Sequence, residues 1–219
     1  MTMSLAHPST FDDGADKARS SASAAGRIGP NAAIQLLRAL PLAVDPETVR
    51  RIVVTAGVED WAAQAPADMV DERPVAALHR ATRSILEPQS ALAILAEAGS
   101  RTGDYIVANR IPVWARAILK VLPAALSSRA LARAITAHAW TFVGSGRFVC
   151  KPGKDPTFEI WSNPLCAGET SAAPMCVWHA AVFERLYQAL VSPRAKAVET
   201  HCSARGDACC RFAVSGIRR

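Results

Sequence analysis

The stretch "ETHCSARGDACCRF", residues 199–212, decides how the second half of the chain folds. It gathers acidic side chains, one histidine and three cysteines around an Arg-Gly-Asp sequence. The flanking segments "RAKAVETHC" and "CCRFAVSG" predict two strands joined by a turn at Gly206-Asp207. Successive side chains of a strand point to opposite faces, so only one of Cys209 and Cys210 can serve a site shared with the other strand. The stretch therefore predicts a β-hairpin with potential metal ligands beside its turn.

The segments before this hairpin extend the same layer. "WTFVGSGRFVC" (140–150) and "TFEIWSNPLC" (157–166) are rich in aromatic and β-branched residues and predict strands, with "KPGKDP" as the turn between them. "APMCVWHAAVFERLYQALV" (173–191) has the apolar spacing of a helix. The order of many helices, two strands, one helix and two strands predicts an α+β fold with helices packed on an antiparallel sheet.

The chain before residue 140 is predicted to be helical. Asp45 is placed as an N-cap, Pro46 at the first helical position and Gly57 as a stop signal, and further prolines separate later helices. Residues 1–26 lack an apolar signal core and are interpreted as a disordered tail. The expected organisation is a helical region at 27–139 and a sheet-containing domain at 140–219, joined in one compact unit.

Composition limits the classes of function. The 219 residues include 25 basic and 19 acidic side chains, a net charge of +6, but no dense basic run interleaved with aromatics. The sequence therefore does not predict nucleic-acid binding. No apolar run reaches the length of a membrane span. We expect a cytoplasmic protein, peripheral to photosynthetic membranes on the basis of the second resemblance below, whose clustered thiols bind metal rather than form disulfides.

The hairpin supplies three candidate zinc ligands. Glu199 and Cys202 end one strand and Cys209 or Cys210 begins the next, so the turn brings them together. A fourth ligand must come from elsewhere, and Cys176 is the best candidate. His179 or His201 could substitute for it. The alternative is that the thiols are buried as small apolar side chains, which is how Cys150 and Cys166 are interpreted.

The spacing Cys-x22-Glu-x2-Cys-x3-Gly-Asp-x2-Cys, which starts at Cys176, resembles the vinyl-reductase (4VR) domain. The same domain is the effector-sensing module of phenol-responsive bacterial transcription activators, where this pattern binds structural zinc. The resemblance covers residues 140–215 and matches every spacing. It implies a zinc site formed by Cys176, Glu199, Cys202 and Cys210, with Cys209 outside it.

A second resemblance spans nearly the whole chain. The segments "GRIGPNA", "AEAGSRTGDYIVANRIP", "HAWTFVGSG" and "CVWHAAVFERL" are similar to the bacteriochlorophyll-biosynthesis branch of that domain family, filed as 4-vinyl (8-vinyl) reductase. The resemblance implies a fold like the vesicle-tethering Bet3 subunits, a homodimer, and an apolar pocket between sheet and helices. It also implies divinyl protochlorophyllide or a related magnesium tetrapyrrole as ligand or substrate, and other enzymes of the pathway as partners.

The residues do not supply an obvious reductant for such a reaction. Reduction of a vinyl group needs two electrons and two protons from a nicotinamide, a flavin or an iron-sulfur relay. "GSGRFV" (144–149) lacks the third glycine and the strand-turn-helix setting of a dinucleotide loop. The residues therefore favour a pigment carrier, whereas the resemblance also allows the vinyl reductase itself. A small-molecule sensor is the third class.

A magnesium tetrapyrrole needs an apolar slot, aromatic stacking and an axial ligand. His138 and Trp140 lie where a helix is expected to meet the first strand, and they are the first candidates. His179, one turn beyond Cys176, is the next. Trp114, Trp161 and Trp178 are interpreted as core or interface residues rather than stacking platforms.

Overall fold

A computed structural model describes residues 26–218. The predicted tail therefore lies almost wholly outside the described residues. The chain order begins with strand β1 (Arg27–Ile28), helices α1 (Asn31–Ala43), α2 (Pro46–Ala56) and α3 (Glu59–Ala63), and strand β2 (Val70–Asp71). Four helices follow: α4 (Glu72–Ile85), α5 (Pro88–Asn109), α6 (Val113–Val121) and α7 (Ala124–Ala137). The last third contains β3 (Arg147–Lys151), β4 (Thr157–Trp161), α8 (Val177–Leu190), β5 (Lys196–His201) and β6 (Cys210–Ser215).

Local capping explains several helix boundaries. The Asp45 carboxylate accepts a hydrogen bond from Thr48 N at 3.0 Å, and Pro46 occupies the first helical position. Gly57 closes α2 with φ of 66°, the left-handed conformation that glycine adopts without steric cost. The predicted start and stop of this helix are both confirmed.

The four strands β3 to β6 form one antiparallel sheet in the order β3-β4-β6-β5. Phe158 and Ile160 of β4 and Phe212 of β6 are fully buried beneath α8. The rings of Phe158 and Phe183, the latter on α8, lie 4.7 Å apart between centroids. The predicted mixed fold with an antiparallel sheet is confirmed, as is the hairpin of β5 and β6.

Two features of the fold differ from the prediction. Residues 139–146 do not begin a strand: Ala139–Thr141 form a short 3-10 turn, and β3 starts only at Arg147. Gly144 takes φ of 55°, and the Glu72 carboxylate accepts hydrogen bonds from Ser145, so tertiary contacts hold this segment as a turn. The second is the pairing of β1 with β2, strands of two residues that are too short to leave a hydrophobic pattern.

The long helix α5 is central to the packing. It contacts α1 on one side and α8 on the other, and through α8 it is linked to the sheet. Buried side chains from the helical region and from the sheet belong to one continuous hydrophobic core. Within residues 26–218, none of the helices combines the length and the apolar character that crossing a bilayer requires.

Candidate metal centre

Four buried cysteines converge at one end of the sheet. Cys166 ends a 3-10 turn after β4, and Cys176 is the residue immediately before α8. Cys202 follows β5, and Cys210 is the first residue of β6. Each thiol is at most 5 % exposed. The site therefore joins the turn after β4, the start of α8 and both arms of the hairpin.

The four Sγ atoms all lie within 4.8 Å of one another. Cys210 Sγ is 3.6 Å from the Sγ atoms of both Cys166 and Cys176, and Cys176 Sγ is 3.9 Å from that of Cys202. Zinc bound by four thiolates at about 2.3 Å in a tetrahedron separates the sulfurs by about 3.8 Å. The spacing of the thiols therefore fits a tetrahedral metal ion, and the four cysteines can bind one.

The thiols perturb one another strongly. Contact with the sulfurs of Cys166, Cys202 and Cys210 raises the pKa of Cys176 well above its usual value. Contact with Cys166 and Cys176 lowers the pKa of Cys202 to about 5 and that of Cys210 far below the ordinary thiol range. Protons are thus retained on some sulfurs so that others can ionise. A divalent cation removes this conflict because it stabilises all the thiolates together.

Neighbouring donors support negative charge on the sulfurs. Asn163 Nδ2 lies 3.4 Å from Cys176 Sγ, and Ser203 N lies 3.5 Å from Cys210 Sγ. The Asp207 carboxylate accepts a hydrogen bond from Cys202 N at 2.8 Å, which fixes the turn that follows β5. Gly206 adopts φ of 92° in this turn, where a side chain would be strained. These contacts orient the ligands as outer-shell partners do in known metal sites.

Glu199 lies beside the four thiols but outside their group. Its Oε2 accepts a hydrogen bond from Cys176 N at 2.6 Å, whereas its buried Oε1 has no hydrogen-bond partner among the described residues. Burial, together with the charge of Cys202, raises the pKa of Glu199 to about 9. An unpartnered buried carboxylate oxygen is costly, and a nearby cation would compensate it.

Three of the four predicted ligands are brought together: Cys176, Cys202 and Cys210. The fourth member of the group is Cys166, which was predicted to be a core thiol, whereas Glu199 stays in the adjacent position. The signal that could have found it is the position of Cys166 in a sharp Asn-Pro turn directly after a strand, which turns its side chain back toward the hairpin. Cys209 is buried but not part of the group, and neither are His179 and His201.

The predicted pigment residues occupy different environments. His138 ends α7 on the surface, where its Nδ1 lies 2.9 Å from Ala134 O, and Trp140 is 60 % exposed. His179 is 1 % exposed, and neither ring nitrogen has a hydrogen-bond partner among the described residues. Burial lowers the pKa of His179 to about 3, against a weaker opposing effect of the Phe142 backbone, so the ring is neutral. The structure does not bring His138 and His179 together.

A cavity of about 500 Å³ opens beside the thiols. Its walls include charged and hydroxyl side chains, and Cys166 and Ser203 connect it to the metal centre. It is more polar than the apolar slot expected between sheet and helices. Other lining residues are Glu72, Arg73, Arg80 and Glu169.

Comparison with known proteins bears on both halves of the chain. The family model of the 4VR domain, the vinyl-reductase domain resembled above, matches residues 156–215. The bacteriochlorophyll synthase 23 kDa chain of Cereibacter sphaeroides is 47% identical over 188 residues, which cover 86% of this chain and 90% of that protein. This chain belongs to the family of the bacteriochlorophyll synthase 23 kDa chain. The member from Rhodobacter capsulatus is 43% identical over 190 residues, 86% of each chain.

The family match includes the helical region as well as the 4VR domain, since the aligned length greatly exceeds residues 156–215. The relation therefore extends to α1 through α7, which pack around the metal centre's domain. The resemblance found in the sequence is confirmed at the level of the family.

Proposed function

We propose that the protein binds a magnesium tetrapyrrole in bacteriochlorophyll biosynthesis and acts as a pigment carrier at the reduction of the 8-vinyl (4-vinyl) group. The observation that carries this proposal is the 47% identity, over most of both chains, to a protein named for bacteriochlorophyll synthesis. The pigment would be divinyl protochlorophyllide or a related intermediate. A homodimer that hands pigment to other enzymes of the pathway is part of the proposal.

The metal centre has a structural role in this proposal. Four protein ligands would fill a tetrahedral zinc shell, which leaves no position for substrate, and zinc does not change its oxidation state. The ion would fasten the Cys166 turn and the start of α8 to the β5–β6 hairpin. Electrons for a vinyl reduction would then have to come from a different protein or cofactor.

The vinyl reductase itself is the second candidate function, and the family name in the sequence resemblance favours it. The glycines that come nearest to a dinucleotide motif, Gly144 and Gly146, lie in the turn that enters strand β3. A pyrophosphate is normally held where such glycines lead into a helix N-terminus. This placement supports the carrier over the reductase.

His179 is the stronger of the two candidate axial ligands. Its neutral ring offers an unprotonated nitrogen, the form that coordinates metal, and neither nitrogen is used in a hydrogen bond within residues 26–218. Phe142, whose ring centroid is 6.3 Å from that of His179, covers it from the turn that carries His138 and Trp140. Displacement of this turn would open a path from the exposed Trp140 to the buried imidazole.

One mixing experiment separates the carrier from the reductase. Purified protein is titrated with divinyl protochlorophyllide, first alone and then with NADPH or with reduced ferredoxin. We expect a shift in the pigment's absorption spectrum on binding and no conversion of vinyl to ethyl. Turnover by the protein alone would restore the reductase, and an unchanged spectrum with no binding would remove both functions.

The axial ligand is tested by a pair of variants. His179→Ala should change the bound pigment's spectrum and weaken binding modestly, because most affinity comes from burial of the macrocycle's apolar faces. His138→Ala is the matched test of the other candidate. Zinc content serves as the measure of intact folding in both. If only His138→Ala alters the spectrum, the surface histidine is the ligand instead.

A further inference from the structure

Helix α6 (Val113–Val121) presents an apolar face to solvent. Val113, Trp114, Ile118 and Val121 are exposed by 71%, 68%, 47% and 78%. At 100° per residue these four positions lie within an arc of about 140° on one side of the helix. The opposite side contacts the rest of the protein through partly buried residues such as Leu119. The helix therefore shows its apolar side outward, the reverse of a surface helix of a globular domain.

The surroundings of α6 are strongly basic. Residues 105–154 contain eight lysines and arginines and no aspartate or glutamate, so basic side chains here are not interleaved with acids. Arg116 and Lys120 lie on α6, and the exposed Arg129 and Arg133 lie on the adjoining α7. None of these four has an ion-pair partner within residues 26–218.

We infer that α6 docks this protein on the surface of an anionic lipid bilayer. A helix of nine residues is about 13 Å long, too short to cross a bilayer, but it can lie in the interface with its apolar side among the acyl chains. Trp114 has the amphipathic ring that favours this depth. The unpaired cations around it match the negative charge of acidic headgroups.

Charge also separates this occupant from a second copy of the chain. A twofold contact through α6 would set the same face against itself and bring the unpaired arginines and lysine of one copy toward those of the other. An anionic surface neutralises these charges instead. The inference concerns a different part of the molecule from the pigment proposal, and a protein that bound pigment without binding vesicles would keep the proposed function.

The test uses the full chain and vesicles of two compositions, phosphatidylcholine alone and an equal mixture with phosphatidylglycerol. We expect sedimentation with the mixed vesicles, little with the neutral ones, and weakening as salt is raised. Lys120→Gln and Arg116→Gln should each lower binding to mixed vesicles about fivefold. Trp114→Gln should lower it at every salt concentration, because it removes apolar contact.

Matched controls lie far from α6 in the chain. Leu42→Gln removes an apolar side chain that is 70% exposed on α1, and Arg51→Gln removes an exposed cation on α2. Neither should change vesicle binding, and zinc content should be the same in all variants. Equal binding to both vesicle types, an unaffected Trp114→Gln, or no binding at all would overturn the inference. So would a concentration-dependent dimer that Trp114→Gln dissociates while vesicles stay unbound.

Discussion

Two side chains are placed to be the fourth ligand beside Cys176, Cys202 and Cys210. The Cys166 thiol is 3.6 Å from Cys210 Sγ, a sulfur–sulfur spacing that a tetrahedral zinc shell requires. The Glu199 carboxylate is engaged by Cys176 N through one oxygen and has the other oxygen free of hydrogen bonds among the described residues. The geometry favours four thiolates as ligands, with Glu199 orienting the backbone next to Cys176.

Substitution distinguishes the two ligand sets. We expect purified Cys166→Ser to contain much less zinc than the unmodified protein, because a hydroxyl is a far weaker ligand than a thiolate. Glu199→Gln should retain about one zinc per chain, with affinity lowered by about 10- to 100-fold as for an outer-shell partner. Metal analysis and competition with a chromogenic chelator give both quantities.

Two further variants frame this result. Cys209→Ser should leave zinc content unchanged, since that thiol is outside the group, whereas Cys202→Ser should lose zinc and destabilise the fold. If Glu199→Gln loses zinc and Cys166→Ser keeps it, the ligand set predicted from the sequence spacing is correct after all.

Residues close in sequence were easier to predict than residues joined by the fold. Cys202, Gly206 and Cys210 belong to one hairpin, so their spacing alone predicts that they meet. Cys166 reaches them from a turn 36 positions before Cys202, and only the antiparallel pairing of β4 with β6 shows that it does. The 139–146 turn was missed for the same reason, because a carboxylate on α4 determines its conformation.

At the scale of elements, α5 and α8 approach each other closely through glycine. A Cβ added to Gly99 would lie 2.3 Å from Trp178 O and 2.8 Å from Ala181 Cβ, and one added to Gly103 would lie 2.7 Å from Arg185 Cβ. The obstacle at Trp178 is a backbone atom, which cannot swing aside. The two glycines therefore set the distance between the helical region and the domain that carries the metal centre.

Gly99→Ala should accordingly destabilise the protein despite the higher helix propensity of alanine. We expect the free energy of unfolding to fall by about 1–3 kcal/mol, the usual cost of overpacking, measured by urea denaturation. Ala93→Ser adds one heavy atom on the exposed side of the same helix and should change it by less than about 0.5 kcal/mol. A stabilised Gly99→Ala would contradict the close packing of α5 on α8.

Helix α4 holds the segment that delivers Cys166. Arg83 forms an ion pair with Glu169, both side chains being largely buried, and its Nη2 also donates to Leu165 O at 2.8 Å. Arg80 adds a bond to Ala167 O at 3.0 Å. The turn around Cys166 is therefore fastened at several points to the helical region.

Loss of the Arg83 cation should loosen that turn. We expect Arg83→Met to destabilise the protein by about 3 kcal/mol, because Glu169 is left buried without its partner, and to speed zinc loss to a chelator. The double variant Arg83→Met with Glu169→Met should recover part of the stability, as a double-mutant cycle would report. Equal zinc loss from Arg83→Met and the unmodified protein would show that the turn holds Cys166 without α4.

Across the whole molecule, two buried histidines connect stability to pH. His79 Nε2 lies 3.0 Å from Ala32 O between α4 and α1, and its ring packs edge-on against Trp178. Burial, with a contribution from the nearby Arg83 charge, lowers the pKa of His79 to about 3. His179 has the same low pKa through burial. Both rings are therefore neutral in the folded protein well below the pH at which a free histidine gains its proton.

The sign of the effect follows from where the proton binds. Between pH 6.5 and about 3 the unfolded chain binds a proton at each histidine and the folded chain does not, so acid favours unfolding in this window. Each histidine should lower the free energy of unfolding by about 1.4 kcal/mol per pH unit there. His79→Gln keeps a donor for Ala32 O and should make the decline shallower by that amount. Urea denaturation of zinc-loaded protein at pH 7 and at steps down to pH 5 measures the slope, and His138→Gln, at an exposed site, should leave it unchanged. Because loss of zinc affects all three proteins alike, an identical slope for His79→Gln and the unmodified chain would show that His79 is already protonated, or accessible to protons, in the folded state.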